Sequence, residues 1–246
     1  MDRLVYTALS GMRASMNQQR VIASNMANAQ TIGFRAEQFD QRPVTLKGAG
    51  LEARAMQEMG VRASDMSGGE IIETGRALDV SVEGEALIAV QAPDGSEAYT
   101  RRGDLTLSAT GVLVNGEGYP VVGDAGPITL PLIGTPTIAP DGTIMVADPA
   151  APDQPPQEVG RIKLAGWQGS PIAKGLDGLF RVEGGGVLPR DEEATVKSGS
   201  LEQSNVNTTE VLVDMIDAQR LFAMRSKLIA TARDVDESGA QLMRLG

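Results

Sequence analysis

The sequence predicts an α+β chain in which a mainly antiparallel β domain is inserted between N- and C-terminal α-helices that pair as a coiled-coil-like module. At each end of the chain, apolar residues recur at alternating spacings of four and three, which is a heptad pattern. Between the ends, short β-prone runs are separated by turns rich in Gly and Pro. We therefore expect a helical domain made of 1–36 with 206–246, irregular connectors at 37–75 and 191–205, and a β domain at 76–190.

The N-terminal segment carries the first heptad seam. Most of its members are Met or Ala, so the seam is soft and adaptable and does not form a self-sufficient zipper. An ordinary amphipathic helix lying on a globular core shows the same spacing and remains an alternative. The seam consists of Val5, Leu9, Met12, Met16, Gln19, Ala23 and Met26.

A second seam runs along the C-terminal segment, from about 209 to 245. Arg225 and Gly239 interrupt it. A helix of that length with one modest apolar stripe needs partners along its whole length, because isolated helices are marginally stable in water. The seam consists of Val211, Ala218, Leu221, Leu228, Ala232, Val235 and Leu242, with Phe222, Ile229 and Met243 beside it.

The central segment, from about 78 to 182, reads as antiparallel strands. Runs such as "LDVSV", "ALIAV", "DLTLS", "TIMV" and "GLFRV" are β-prone, and "SATG", "NGEG", "GDAGP" and "APDG" between them are turn signals. We expect a β-sandwich or an irregular barrel-like domain.

Composition excludes most catalytic chemistry. The chain has no Cys and no His, which removes thiolate nucleophiles, Cys/His metal sites and imidazole acid–base catalysis. Its net charge of −10 argues against nucleic-acid binding, which needs a clustered basic face. Apolar runs are too short for a membrane span, and the N-terminal residues lack the pattern of a cleavable Sec signal. We expect no cofactor, no metal and no membrane insertion.

An enzyme would have to rely on carboxylates. The candidate groupings are Glu70 with Glu73, and Asp79 with Glu83 and Glu85. Acidic residues at such spacings on turns and strand ends are usually solvated, so we expect no catalytic pair and no enzyme. A β-domain module that binds a ligand is a more serious alternative, since it would need only residues 76–190.

The stretch "SNMANAQTIGFRA" stands at the end of the N-terminal helix. Four polar residues, Asn25, Asn28, Gln30 and Thr31, can satisfy backbone groups left open where a helix ends, and Gly33 can take the positive φ of a helix C-cap. The helix would then end at a fixed place and leave Phe34 as an anchor. The same polar side chains could hydrogen-bond neighbouring subunits, whereas a purely local cap remains the alternative.

This stretch resembles the signature of the bacterial flagellar rod and hook family of axial proteins. Further blocks agree with that family in chain order: "TGRALDVSVEG" at the start of the β domain, "YTRRGDLTLSATGVLVNGEGYPVVGDAGPITLP" within it, and "VKSGSLEQSNVNTTEVLVDMIDAQRLFAMRSKLI" at the entry to the C-terminal helix. The signature positions in this chain are Asn25, Ala27, Asn28, Thr31, Gly33, Phe34 and Arg35.

The resemblance implies a structural subunit of the flagellar rod. Within the family, the length of the chain and the short connector after Phe34 favour a proximal rod subunit over a distal rod or hook subunit. The implied partners are other copies of the chain, other rod proteins and the flagellar type III export apparatus. The implied location is the basal-body rod that spans the periplasm, reached without a cleaved signal peptide.

Overall fold

The computed structural model describes residues 2–45, 55–150 and 154–244, which form two compact units. Unit 1 consists of Met1–Ala29, Glu37–Ala63 and Val206–Gly246. Unit 2 consists of Gln30–Ala36 and Ser64–Asn205. The chain is therefore mixed α and β, with its described helices in the first unit and a mainly antiparallel strand body in the second.

Unit 1 holds the terminal helices and a strand pair. Helix α1 spans Asp2–Ala27 and α2 spans Thr208–Arg244. Strand β1 (Glu37–Thr45) pairs with β2 (Ala55–Ser64), and β1 also lies against α1. Residues 37–64 thus contain strands where the sequence predicts an irregular connector, which corrects that expectation. These strands form because β1 pairs with β2 and contacts α1. Their sequences do not show the alternation of apolar and polar residues that predicts a strand.

Unit 2 is built from sixteen described strands, most of them short. The first four are β3 (Ile71–Glu73), β4 (Val80–Val82), β5 (Ala86–Gln91) and β6 (Glu97–Thr100). They are followed by β7 (Thr106–Leu107), β8 (Leu113–Val114), β9 (Val122–Gly123), β10 (Gly126–Pro127), β11 (Thr135–Ile138) and β12 (Thr143–Ala147). The last are β13 (Gln157–Arg161), β14 (Leu164–Gly166), β15 (Ile172–Lys174), β16 (Phe180–Val182), β17 (Val196–Ser198) and β18 (Ser200–Glu202).

A five-stranded antiparallel sheet organises unit 2, in the order β14-β5-β6-β16-β15. Strand β5 explains why "ALIAV" is a continuous apolar run, because both of its faces are buried. Ala86, Ile88 and Val90 join the main core on one face, while Leu87 and Ala89 join a second cluster with Tyr99 and Phe180 on the other. The sheet therefore has a core on each side.

Smaller antiparallel sheets complete unit 2. Strands β11, β12 and β13 form a three-stranded sheet, and β7 pairs with β8 and β9 with β10. Strand β17 pairs with β4, and β18 pairs with β3, so residues 196–202 return to the segment where the β body begins. These two pairings correct the prediction of an irregular connector at 191–205.

Within the described residues, no helix is long and apolar enough to cross a membrane. The same part of the chain contains no group of three or more acidic side chains placed to hold a metal ion.

Candidate assembly site

The first half of the signature forms the C-terminal end of helix α1, inside unit 1. The Asn28 side chain donates to the Ser24 carbonyl oxygen at 2.9 Å, and the Asn28 backbone N–H donates to the same oxygen at 3.1 Å. Asn25 is buried and pairs with the backbone of Glu37 in both directions, donating to its carbonyl at 3.0 Å and accepting from its N–H at 2.8 Å. Asn25 thus fixes where strand β1 starts beside the helix. Ala27 is the last helical residue and is exposed.

The second half of the signature forms a tight turn inside unit 2. The Phe34 N–H donates to the Thr31 carbonyl at 3.2 Å, and the Gly33 N–H donates to the Glu202 carbonyl at 2.8 Å. Gly33 has the predicted positive φ, 66°. Because α1 already ends at Ala27, Gly33 serves this turn and is not the helix C-cap that the sequence suggested.

Phe34 anchors that turn in unit 2. Its side chain is buried, and the Lys174 ammonium lies 3.3 Å from the centre of its ring, a cation–π contact. Lys174 also donates to the Arg35 carbonyl at 3.1 Å. Strand β15 therefore holds Phe34 and the next residue from one side.

A buried ionic cluster fixes Arg35. The Glu202 carboxylate lies between two guanidinium groups, with Oε1 2.8 Å from Arg35 Nη1 and Oε2 2.9 Å from Arg101 Nε. These side chains are 1% (Arg35), 2% (Glu202) and 6% (Arg101) exposed. Burial lowers the pKa of Arg101, and the nearby Arg35 charge lowers it further, while Glu202 raises it. Two buried cations thus depend on one carboxylate.

Backbone groups complete the cluster. Arg35 Nη1 also donates to the Ser67 carbonyl, Arg101 Nη1 donates to the Ala86 carbonyl at 2.6 Å, and Glu202 Oε1 accepts from the Gly69 N–H at 2.8 Å. The cluster therefore joins the signature turn to β18, to the main sheet and to the segment before β3.

Asn205 provides a second attachment for the signature turn. Its amide oxygen accepts from the Ala36 N–H at 2.7 Å, and its amide nitrogen donates to the Asp65 carbonyl at 2.9 Å and the Ser67 carbonyl at 3.0 Å. Asn205, Glu202 and Arg101 escaped the sequence analysis as site residues. All three lie within blocks that resemble the family, but nothing in their local spacing links them to Arg35.

Helices α1 and α2 contact each other within unit 1. Ile22 lies in one apolar cluster with Val211 and Ala218, while Gln19 donates to the Ala218 carbonyl at 3.4 Å. Arg225 donates to the Gly11 carbonyl and to the Ser15 hydroxyl, at 2.5 Å in each case. As the residue number falls along α1 it rises along α2, so the contacts run in antiparallel order.

The predicted seams divide between contact and solvent. On α1, Met12, Gln19 and Met26 are half-buried, whereas Leu9, Met16 and Ala23 are exposed. On α2, Val211 and Ala218 are buried, Leu221, Phe222 and Ile229 are half-buried, and Leu228 and Val235 are exposed. Val5, Ala232 and Leu242 belong to the helices, but their side chains lie outside the described part of the chain.

The large exposed members of the two seams, with Val213 and Met224 beside them on α2, define a surface that we call the exposed apolar stripe. Its residues are between 41% and 66% exposed in the single chain. Large apolar side chains at heptad spacing with no cover mark an interaction surface. The stripe consists of Leu9 and Met16 on α1 and of Val213, Met224, Leu228 and Val235 on α2.

The carboxylates considered for catalysis are engaged in local contacts. Glu73 pairs with Lys197 at 2.8 Å on the surface, and buried Asp79 accepts from the Thr74 hydroxyl at 2.7 Å. Glu83 accepts from the Thr195 hydroxyl at 2.7 Å, and Glu85 accepts from the Gln168 side-chain amide at 2.5 Å. These four carboxylates therefore each take part in a structural contact.

Known protein families match both ends and the middle of the chain. Residues 5–35 match the family described as flagella basal body rod protein. Residues 81–146 match the flagellar hook protein FlgE/F/G D1 domain, and residues 197–242 match the flagellar basal body rod FlgEFG protein C-terminal family. The first of these ranges contains the whole signature, and the third contains Glu202, Asn205 and most of α2.

Individual relatives extend over the full chain. The flagellar basal-body rod protein FlgF of Escherichia coli (strain K12) is 40% identical over 251 residues, covering 100% of both chains. FlgF of Salmonella typhimurium is 39% identical with the same coverage. The flagellar basal-body rod protein FlgG of Bacillus subtilis is 29% identical, covering 99% of this chain and 100% of its own.

These matches define the class: the chain belongs to the flagellar rod and hook family of axial proteins. In particular, it is a structural subunit of the flagellar basal-body rod, similar over its full length to FlgF. It is not an enzyme, because the relatives it matches are structural rod proteins.

Proposed function

We propose that this subunit belongs to the proximal rod and polymerises through its terminal helices, paired as a coiled-coil-like module, into the shaft that transmits torque. The exposed apolar stripe carries the proposal. A heterologous, head-to-tail contact that does not close on itself produces an open helical filament. A stripe along both helices supplies such a contact with many copies of the chain and with other rod proteins.

The signature is held in place separately inside each unit. Its Asn25 part is fixed inside unit 1 by the pairing with Glu37. Its Gly33–Arg35 part is fixed inside unit 2 by Glu202, Lys174 and Asn205. We propose that the signature residues serve assembly by holding this segment in one conformation, so that each unit presents a defined surface.

Substitutions that place negative charge in the exposed apolar stripe test the proposal. In a strain lacking the native gene, the double variant Leu228→Glu, Val235→Glu should give no swimming and basal bodies without a complete rod by electron microscopy. Each substitution loses the burial of a large apolar side chain and places a charge in the contact. We expect the contact between subunits to weaken at least about 100-fold.

Gln219→Glu is the control for added charge, because it adds one negative charge, against two in the double variant, at an exposed position on another side of α2. It should swim normally. Circular dichroism of the purified chains should show equal helix content in both variants and the wild type. Normal rods in the double variant, with the protein present at wild-type levels, would contradict the proposal.

We also propose that the subunit reaches the rod through the flagellar type III apparatus without cleavage. The membership of the rod family supports this route. Intact mass measurement of the subunit from purified basal bodies should give the uncleaved N-terminus, and a subunit shortened by a signal-peptide length would refute the route.

A further inference from the structure

We infer that Arg225 sets the register of α2 against α1 and thereby selects which apolar residues the helices offer to neighbours. The position looks like a defect in the sequence, since a charged residue interrupts an apolar seam. In the structure, Arg225 instead lies on the side of α2 that faces α1 and donates to Gly11 and Ser15.

Arg225 occupies the contact stripe of α2 at regular spacing. The described residues of α2 that are buried or half-buried include 211, 215, 218, 222, 225 and 229, which alternate by four and three. On α1, residues 11, 15, 18, 22 and 25 follow the same spacing and are also buried or half-buried. Two stripes with the same heptad period can slide past each other by one repeat and stay in step, so spacing alone does not fix their register.

Gly11 and Ser15 give α1 two neighbouring hydrogen-bond acceptors for the Arg225 guanidinium. Helices rarely offer such a pair. A helical carbonyl retains a second lone pair, but bulky side chains usually cover it. Gly11 has no side chain, and Ser15 adds a hydroxyl one turn away, fully buried in the contact. The guanidinium spans both acceptors, which a charged donor with several N–H groups can do.

Other registers remove these partners. A slide of one repeat in one direction brings Arg225 towards Ile22, which lies in the apolar cluster with Val211 and Ala218. A guanidinium there would exchange the Gly11 carbonyl and the Ser15 hydroxyl for the Gln18 amide as its nearest polar group and would lie beside the apolar Ile22, which is costly. Gln19, which donates to the Ala218 carbonyl, adds a second but longer polar contact in the native register. A polar residue in a seam is a known way to specify register at some cost in stability.

Distance measurement between spin labels tests the inference in the full-length monomer. The chain has no Cys, so labels can be placed at single introduced cysteines. Met16→Cys and Val235→Cys lie at exposed positions on the two helices and leave the contact stripe intact. Because the labels are offset along the axes, a slide of one repeat, about 10 Å, changes their separation clearly.

In the labelled background, wild-type Arg225 should give one narrow distance distribution. Arg225→Met keeps a long, unbranched side chain like the aliphatic stem of Arg225, but it removes the guanidinium N–H donors. It should keep the helix content and add a displaced distance, raising the ratio of displaced to native populations at least about tenfold. Arg225→Lys, which offers one compact donor group, should fall between them.

Arg220→Met is the matched control on the same helix, because Arg220 is 75% exposed and pairs only weakly with Asp217 at 3.8 Å. It should keep the single native distance. A single native distance in Arg225→Met and Arg225→Lys would overturn the inference.

The consequence for assembly rests on the function proposed above, and the two claims can fail separately. If Arg225→Met shows the displaced register but assembles normal rods, the register inference stands and helix-mediated assembly is refuted. If the charged stripe variant blocks the rod while Arg225→Met keeps one register, assembly through the stripe stands and the register inference is refuted.

Discussion

Replacing Glu202 with glutamine will destabilise unit 2 by about 3–5 kcal/mol, the usual consequence of removing one partner from a buried ion pair. Glu202 is the shared counter-charge of Arg35 and Arg101, and all three side chains are buried. Gln can still accept with its oxygen, but its NH₂ group would face donors of the neighbouring guanidinium. We expect the unfolding midpoint to fall by roughly 10 °C. Fluorescence of Trp167, the single tryptophan, reports on unit 2.

Glu73→Gln is the control for that experiment. Glu73 also loses a cationic partner, Lys197 at 2.8 Å, but its side chain is 79% exposed. Such surface ion pairs contribute little to stability. The midpoint should therefore stay within experimental error of the wild type. Equal effects of the two substitutions would show that the buried cluster carries no special share of the stability of unit 2.

Replacing Gly33 with alanine should cost about 3 kcal/mol of stability in unit 2, because strain and collision act together. The residue has a φ of 66°, which disfavours any residue with a Cβ. An added Cβ would also collide with the backbone of Arg101, which cannot move without disturbing the ionic cluster. The measurement is denaturant unfolding followed by Trp167 fluorescence.

Gly84→Ala separates the two causes. Gly84 has a similar φ, 72°, but an added Cβ would have no atom within 4 Å. This variant should lose only the conformational contribution, about 1 kcal/mol. If Gly33→Ala costs no more than Gly84→Ala, the close approach to Arg101 is not what requires glycine in the signature turn.

Local patterns in the sequence were sufficient for the secondary structure at the ends and in much of the middle. The heptad spacing predicted helices that the structure places at Asp2–Ala27 and Thr208–Arg244. Runs such as "ALIAV" and "TIMV" became β5 and β12, because β-prone segments between Gly-rich turns have few other conformations open to them. The mainly antiparallel β body follows from those turns.

Contacts between distant residues could not be predicted in the same way. Arg35, Arg101 and Glu202 meet only after the strands pair, and each alone reads as a surface charge. Strands β1 and β2 were missed because pairing with each other and with α1, not local alternation, makes them strands.

The helix seams were predicted as single stripes, and the structure divides each of them. On α2, the first seam members, Val211 and Ala218, face the partner helix, while the later members Leu228 and Val235 are exposed. A pattern of spacings shows which residues share a side of a helix but not which neighbour covers them. Arg225, which seemed to interrupt the seam, donates hydrogen bonds to Gly11 and Ser15 of α1.

Photo-crosslinking from Leu228 in intact basal bodies tests whether the rod assembles through the exposed apolar stripe. A photoreactive amino acid at Leu228 in a motile strain, with the same substitution at Gln219 for comparison, identifies whatever protein touches the stripe. We expect covalent adducts between axial subunits from Leu228, formed only in the assembled rod. Complete rods in which Leu228 gives no adduct with any axial protein would contradict it.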